Sequence, residues 1–266
     1  MRQRNSVAGK WALVTGASSG FGVQFAMLLA AQGANVILVA RRAEPMEQLA
    51  ERLRREYKVR VVVEAMDLST PDAAAALKTR TDAQGLMVDL LVNNAGYGLY
   101  GEFVGQPLAR TTNMLQLNIV TLTELTHVYA HDMAQRGSGH ILLVASLLGF
   151  QAVPGYAVYA ASKAYVLHFG EALHAELGPR GVSVTVLAPG AATTAFGDIA
   201  GETGTGTLQK LKMSPHAVAE IGIRAMLRRR SSVVAGFRNG LIVFFNRFMP
   251  RALQRWIFRR VMAGEV

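Results

Sequence analysis

Seven short apolar runs, separated by stretches of helical periodicity, constrain this chain more than any other feature. They span residues 11–15, 35–40, 59–64, 88–93, 141–145, 182–187 and 231–235. Each is too short for a buried helix, and the runs are nearly continuous rather than alternating. They therefore read as strands covered on both faces. Between them, residues 23–32, 47–57, 70–84, 108–136, 159–167 and 215–229 carry helical patterns. The stretch 108–136 is one long helix or two abutting ones. Strand and helix in regular alternation predict an α/β fold with a doubly wound parallel sheet, Rossmann-like. Ligands of such sheets sit beyond the carboxyl ends of the strands. A length of 266 residues with 51% hydrophobic side chains suits one large core. No repeat or linker divides it. The reading is a single domain over 1–236 with a helical extension of the same domain over 237–266.

The strand ends carry the informative residues. The first runs into Thr15-Gly16-Ala17-Ser18-Ser19-Gly20-Phe21-Gly22 and then a helix. Strand, glycine-rich turn and helix N-terminus together favour a bound phosphate. The spacing differs from the common Gly-x-Gly-x-x-Gly fingerprint, so the turn alone could be a tight connection. The second strand ends at Arg41 and Arg42. An acidic residue there suits the ribose hydroxyl of NAD, whereas arginine suits the 2′-phosphate of NADP; the expectation is NADP. Asp67 and Leu68 follow the third strand, at a position suited to adenine. Asn94, Ala95 and Gly96 follow the fourth, where small residues let a sheet edge lie flat against a cofactor.

Tyr159 and Lys163 are four apart in a stretch free of glycine and proline, which puts both on one helical face. An ammonium beside a phenol favours the phenolate and lowers its pKa from about 10. Ser146 follows the fifth strand, so its hydroxyl emerges at a strand end. Tyr156 lacks the lysine four residues later. A lone Tyr-x-x-x-Lys also occurs as a plain surface pair, so the assignment needs support from the rest of the chain.

That support comes from a resemblance. The set Thr15-Gly16-x-x-x-Gly20-x-Gly22, Asn93-Asn94-Ala95-Gly96, Asn118, Ser146, Tyr159-x-x-x-Lys163 and Pro189-Gly190 resembles the short-chain dehydrogenase/reductase family, in its order and spacing, over about residues 10–195. The resemblance implies a catalytic tetrad. Tyr159 passes the proton, Ser146 orients the substrate oxygen, Lys163 acts on Tyr159 and the nicotinamide ribose, and Asn118 holds a relay water. It further implies that Gly16, Ser18, Ser19, Gly20, Phe21 and Gly22 surround the pyrophosphate and adenosine side. Asp67 and Leu68 flank adenine, Asn94, Ala95 and Gly96 lie near the ribose, and Pro189, Gly190 and Thr194 lie near the carboxamide. The implied function is NADP(H)-dependent interconversion of a carbonyl and an alcohol. The substrate pocket would draw on residues 97–100, 147–156 and 191–213, including Phe150, Tyr156 and Phe196, which favours a hydrophobic substrate. The family usually forms dimers or tetramers, so a homodimer or homotetramer is expected. The alternative is a non-catalytic dinucleotide-sensing or membrane-associated binding protein on the same fold.

His127 and His131 have metal-compatible helical spacing, but no third ligand accompanies them, so no metal is expected. With no cysteine, disulfides and thiolate-bound metal are excluded. No long uncharged apolar stretch or signal-like leader is present, and a cytoplasmic protein is the default expectation. The net charge of +10 has a local origin: ten arginines and no lysine, aspartate or glutamate lie between residues 221 and 264. No nucleic-acid motif accompanies them, and no nucleic-acid partner is expected. Near the end, Arg251, Arg255 and Arg259 recur every four residues, while Leu253, Trp256, Ile257 and Val261 fall largely on another face. Such a basic amphipathic helix either makes peripheral contact with an anionic membrane or covers the domain or a partner subunit. The loop 201–206, with three glycines, is a candidate lid.

Overall fold

The structure is a computed structural model that describes residues 7–192 and 213–263. Seven strands form one sheet in the order β3-β2-β1-β4-β5-β6-β7, with every neighbouring pair parallel. They are β1 (Trp11–Thr15), β2 (Asn35–Ala40), β3 (Val61–Ala65), β4 (Val88–Asn93), β5 (Gly139–Val144), β6 (Val182–Ala188) and β7 (Ser232–Val234). The chain builds outward from β1 to β3, then returns to place β4 on the other side of β1. That reversal opens a crevice at the carboxyl ends of β1 and β4, where such sheets bind ligands.

The two-residue period of the strands sorts side chains to opposite faces. Val14, Leu38, Val92, Leu142 and Leu187 join a core under α1 (Gly20–Ala30), α2 (Ala43–Tyr57) and α7 (Pro215–Leu227). Leu13, Ile37, Leu91, Ile141 and Val184 face α3 (Ala73–Ala83), α5 (Leu122–Arg136) and α6 (Ala157–Leu177). Burial on both faces explains the unbroken apolar runs.

Element ends moved where local chemistry intervened. Helix α1 starts at Gly20, three residues earlier than its apolar pattern suggested, because the glycine turn runs straight into it. Helix α2 likewise starts at Ala43, with Pro45 in its first turn, where a missing amide costs no intrahelical bond. Helix α3 starts later, after Asp72 takes a left-handed φ of 59°. The stretch 108–136 resolves into α4 (Leu108–Leu115) and α5, joined without a break by a π-helical segment, Gln116–Thr121. The apolar residues 241–245 lie in α8 (Phe237–Asn246), and α9 (Arg251–Ala263) follows it.

Candidate active site

Thr15, the last residue of β1, fastens the crevice. Its hydroxyl donates to the Val92 carbonyl at 3.3 Å and accepts from the amides of Asn94 and Ala95, both at 2.9 Å. The Asn94 side chain returns the contact, donating to the Thr15 carbonyl at 2.8 Å. Gly16 then turns with φ of 68°, and a Cβ there would sit 2.8 Å from Asn94 Nδ2. A Cβ on Gly22 would collide with the Gly16 carbonyl, so only glycine lets α1 start this close to the strand. Ser19 occupies the N-cap of α1 without a side-chain capping bond, and the first turn contains no acidic residue. Its amides are thus left for an anion, and the helix dipole favours one.

Arg42 extends from the end of β2 back to this turn, where Nη2 approaches Ser18 Oγ at 3.3 Å and the Ser18 carbonyl at 3.4 Å. Arg41 beside it is exposed. Burial pushes the Asp67 carboxyl up, but bonds from the Ser69 hydroxyl and amide, aided by the Arg41 charge, outweigh this and hold it below the ordinary range. Leu68 is buried, and its carbonyl accepts from Thr121 Oγ1 at 2.8 Å. The chain therefore presents features that suit a 2′-phosphorylated dinucleotide: an uncapped helix start, a cradle that a Cβ at Gly16 or Gly22 would fill, and two guanidinium groups at the end of β2.

Tyr159 and Lys163 are both buried on α6. Lys163 Nζ lies 5.8 Å from the centre of the Tyr159 ring and donates to the Val144 carbonyl at 2.9 Å. Among the described residues no carboxylate pairs with it. Burial alone pushes its pKa down to about 8. The Tyr159 ring is backed by Tyr156, with centroids 5.7 Å apart.

Asn118 sits fully buried in the π-helical segment. Such segments project a side chain out of the helical repeat and recur at functional sites. Its Nδ2 donates to the Tyr97 carbonyl at 2.9 Å and to Ser162 Oγ at 3.3 Å, while Oδ1 accepts from the Tyr97 amide at 3.2 Å. Ser162 Oγ in turn donates to the Tyr159 carbonyl at 2.7 Å, tying the π turn to α6. Gly96 closes the group, since a Cβ there would lie 2.8 Å from Asn118 Oδ1 and 3.5 Å from Lys163 Nζ.

Ser146 caps the short 3-10 turn Leu147–Phe150, accepting from the Leu148 amide at 3.1 Å. The hydroxyl proton takes no part in that bond. The turn packs against α6, where a Cβ on Gly149 would be 2.8 Å from the Lys163 carbonyl carbon. Leu147 also donates to the Pro189 carbonyl at 2.8 Å, which brings in Pro189 and Gly190 after β6. Thr194, Phe196 and the loop 201–206 lie outside the described residues.

Sequence reasoning missed several contributors. Thr15 was visible only as part of a motif, and nothing local marked its threefold role. Ser162 and Gly149 look like ordinary small residues. Most consequential is the extension: Asn239 packs on Gly190, Asn246 donates to Gln151 Oε1 at 2.9 Å, and Phe258 packs against the cluster of Leu99, Met114, Val153, Tyr156 and Tyr159. The seven-residue spacing of the two asparagines places them on one helical face and was the available signal.

Comparison with known proteins agrees with this geometry. The family model described as short chain dehydrogenase matches residues 10–203. A very-long-chain 3-oxoacyl-CoA reductase from Pyrenophora tritici-repentis is 34% identical over 195 residues, which are 72% of this chain and 57% of that protein. A 7beta-hydroxysteroid dehydrogenase from Collinsella aerofaciens is 30% identical over 233 residues, covering 87% of this chain and 88% of that one. Among solved structures, a short-chain dehydrogenase from Sphingobium yanoikuyae in complex with NADPH gives a TM-score of 0.79 at 32% identity, covering 86% of this chain and 88% of the other. With its motifs in place on the parallel sheet, the chain belongs to the short-chain dehydrogenase family.

Proposed function

We propose that this protein is an NADP(H)-dependent oxidoreductase that interconverts a carbonyl and an alcohol on a hydrophobic substrate. The observation that carries the reading is Lys163, an ammonium buried beside the Tyr159 ring with no carboxylate partner among the described residues. Holding such a charge is costly, and its use is to favour the phenolate form of a neighbouring phenol. When bound, the nicotinamide supplies or accepts the hydride.

In reduction Tyr159 gives its hydroxyl proton to the substrate oxygen, and in oxidation it takes that proton back. Ser146, whose oxygen already accepts from Leu148, donates its own hydrogen to the same substrate oxygen. Lys163 sets the acidity of Tyr159, and Asn118 continues the proton path beyond Lys163 through a water. Gly16, Ser18, Ser19, Gly20, Phe21 and Gly22 receive the pyrophosphate and adenosine side. Arg41 and Arg42 meet the 2′-phosphate, Asp67 and Leu68 flank adenine, and Asn94, Ala95 and Gly96 lie along the ribose. Pro189, Gly190 and Thr194 serve the carboxamide end.

A hydrophobic substrate is supported by the apolar cluster around Tyr159, to which Tyr97, Tyr100, Leu148, Val158 and Phe258 add their side chains. The activities named for the two relatives, on a steroid and on a very-long-chain acyl thioester, point the same way. A homodimer or homotetramer in the cytoplasm is the assembly and location that fit this reading. The test is NADPH oxidation over carbonyl compounds of increasing chain length, with wild type and Tyr159→Phe. Wild type should turn over, more efficiently as the chain lengthens, and Tyr159→Phe should bind NADPH with turnover reduced at least about a thousandfold. Sustained turnover by Tyr159→Phe would remove that residue from its role.

A further inference from the structure

Helix α8 is inside out. Its buried residues are Asn239 and Asn246, held by the Ala235 carbonyl at 2.6 Å and by Gln151 at 2.9 Å. Its outward face carries Phe237, Leu241, Ile242, Phe244 and Phe245, followed by Phe248, with Phe245 61% and Phe248 74% exposed. A helix designed for water does the opposite. Gln254 clips α9 to α8 by donating to the carbonyls of Asn246 and Met249, and α9 adds exposed Leu253 and Trp256 to the same end of the molecule. More than half of the large apolar side chains exposed among the described residues therefore lie in these two helices and the turn that joins them. Around them stand exposed Arg238, Arg247, Arg251, Arg255, Arg259 and Arg260, in a segment with no acidic residue between positions 221 and 264.

Aromatic and aliphatic side chains rimmed by arginine alone match the interface of an anionic lipid layer, with apolar groups among the acyl chains and guanidinium groups at the phosphates. A second copy of this chain fits less well, because two such faces would oppose arginine to arginine with no carboxylate from either segment. At 10 and 13 residues the helices are shorter than the roughly 20 needed to cross a membrane, and no helix among the described residues can do so. They can lie on the surface only. The same pair borders the catalytic cleft, with Asn239 against Gly190 and Phe258 against the Tyr156–Tyr159 cluster.

We infer that α8 and α9 form a plate that seats the protein on an anionic lipid surface, next to the Tyr159 cleft, so that a lipid-partitioned carbonyl substrate enters from the bilayer. The delivery step rests on the oxidoreductase reading above; the docking step does not.

The experiment uses the full chain and vesicles of phosphatidylcholine with or without phosphatidylglycerol, at low and high salt. Two variants accompany wild type: Phe244→Ser/Phe248→Ser, and Arg247, Arg251, Arg255 and Arg259 all changed to Gln. Flotation reads binding. Turnover is measured with a small water-soluble carbonyl and with a long-chain carbonyl dissolved in the vesicles. Wild type should float with the anionic vesicles only, and less at high salt. The arginine variant should bind at least about a hundredfold more weakly. Both variants should keep the soluble turnover, which shows that they fold, and lose most of the vesicle-borne turnover. Wild type that reduces the soluble carbonyl but does not float overturns the inference and leaves the oxidoreductase reading intact. Wild type that floats but reduces neither carbonyl sinks the oxidoreductase reading, and delivery with it. Phenylalanine changes that convert a stable dimer to monomer without altering flotation assign the face to a subunit contact and overturn docking.

Discussion

Replacing Lys163 by Met should separate stability from activity. Lys163 is 4% exposed, and burial depresses its pKa from 10.5 to about 8. At roughly 1.4 kcal/mol per pH unit, keeping it charged near neutral pH costs the fold about 3 kcal/mol. Met fills a similar volume without the charge, but deprives the Val144 carbonyl of its donor, which costs about 1–3 kcal/mol. The variant should thus be as stable as wild type at pH 7, or more so by about 1–2 kcal/mol, while its turnover collapses. The pH dependence isolates the charge. Between pH 8 and 10.5 the unfolded chain binds the Lys163 proton and the folded chain does not, so wild type gains stability as pH rises through this window. Below pH 8 the penalty is fully present. Lys163→Met has no such gain, and the lost bond to Val144 contributes equally at every pH. Urea unfolding of cofactor-free protein at pH 7 and pH 10 reads the difference. The wild-type-minus-variant stability should grow by about 3 kcal/mol, or somewhat less, over that interval. A difference that stays flat with pH would refute the claim that Lys163 is a buried charge held at a cost.

Two further outcomes follow from the site and the sheet. Arg41→Ala/Arg42→Ala should weaken NADPH binding by about ten- to a hundredfold, from the loss of one or two charge-assisted bonds, and NADH binding far less; fluorescence titration with both cofactors measures this, and equal losses would contradict the 2′-phosphate assignment. His140, buried in β5 and facing the charges of Arg229 and Lys10, has a pKa pushed down to about 4. The unfolded chain takes up that proton first, so stability should fall by up to about 3 kcal/mol as pH drops from 6.5 to 4. His140→Leu should flatten that part of the unfolding profile, and an unchanged slope would sink the assignment.

The sheet and the cleft were legible because both rest on local patterns. Strands covered on both faces must be apolar throughout, and runs such as 35–40 and 88–93 carry that requirement in consecutive residues. The Tyr159–Lys163 pair is likewise set by one helical turn. What stayed hidden depends on contacts distant in the chain. Thr15 meets Asn94 across 79 positions, and Asn118 meets Ser162 across 44. The π turn has no composition of its own. The extension is legible only in part: the four-residue recurrence of Arg251, Arg255 and Arg259 carries the helical period of α9, but pattern alone does not say that α8 turns its asparagines to the protein and its phenylalanines away from it.

The six residues of the π segment act as a phase corrector between two helices with different obligations. Helix α4 must aim Met114 at the Tyr156 cluster, whereas α5 must lay Leu122, Leu125, Tyr129 and Met133 on the sheet. A straight α-helix cannot satisfy both. Winding this segment as a regular α-helix with all its residues kept would swing everything beyond it by about 100°, taking that whole row off its bed. The irregularity that presents Asn118 is therefore also the joint that lets one continuous helix serve two surfaces.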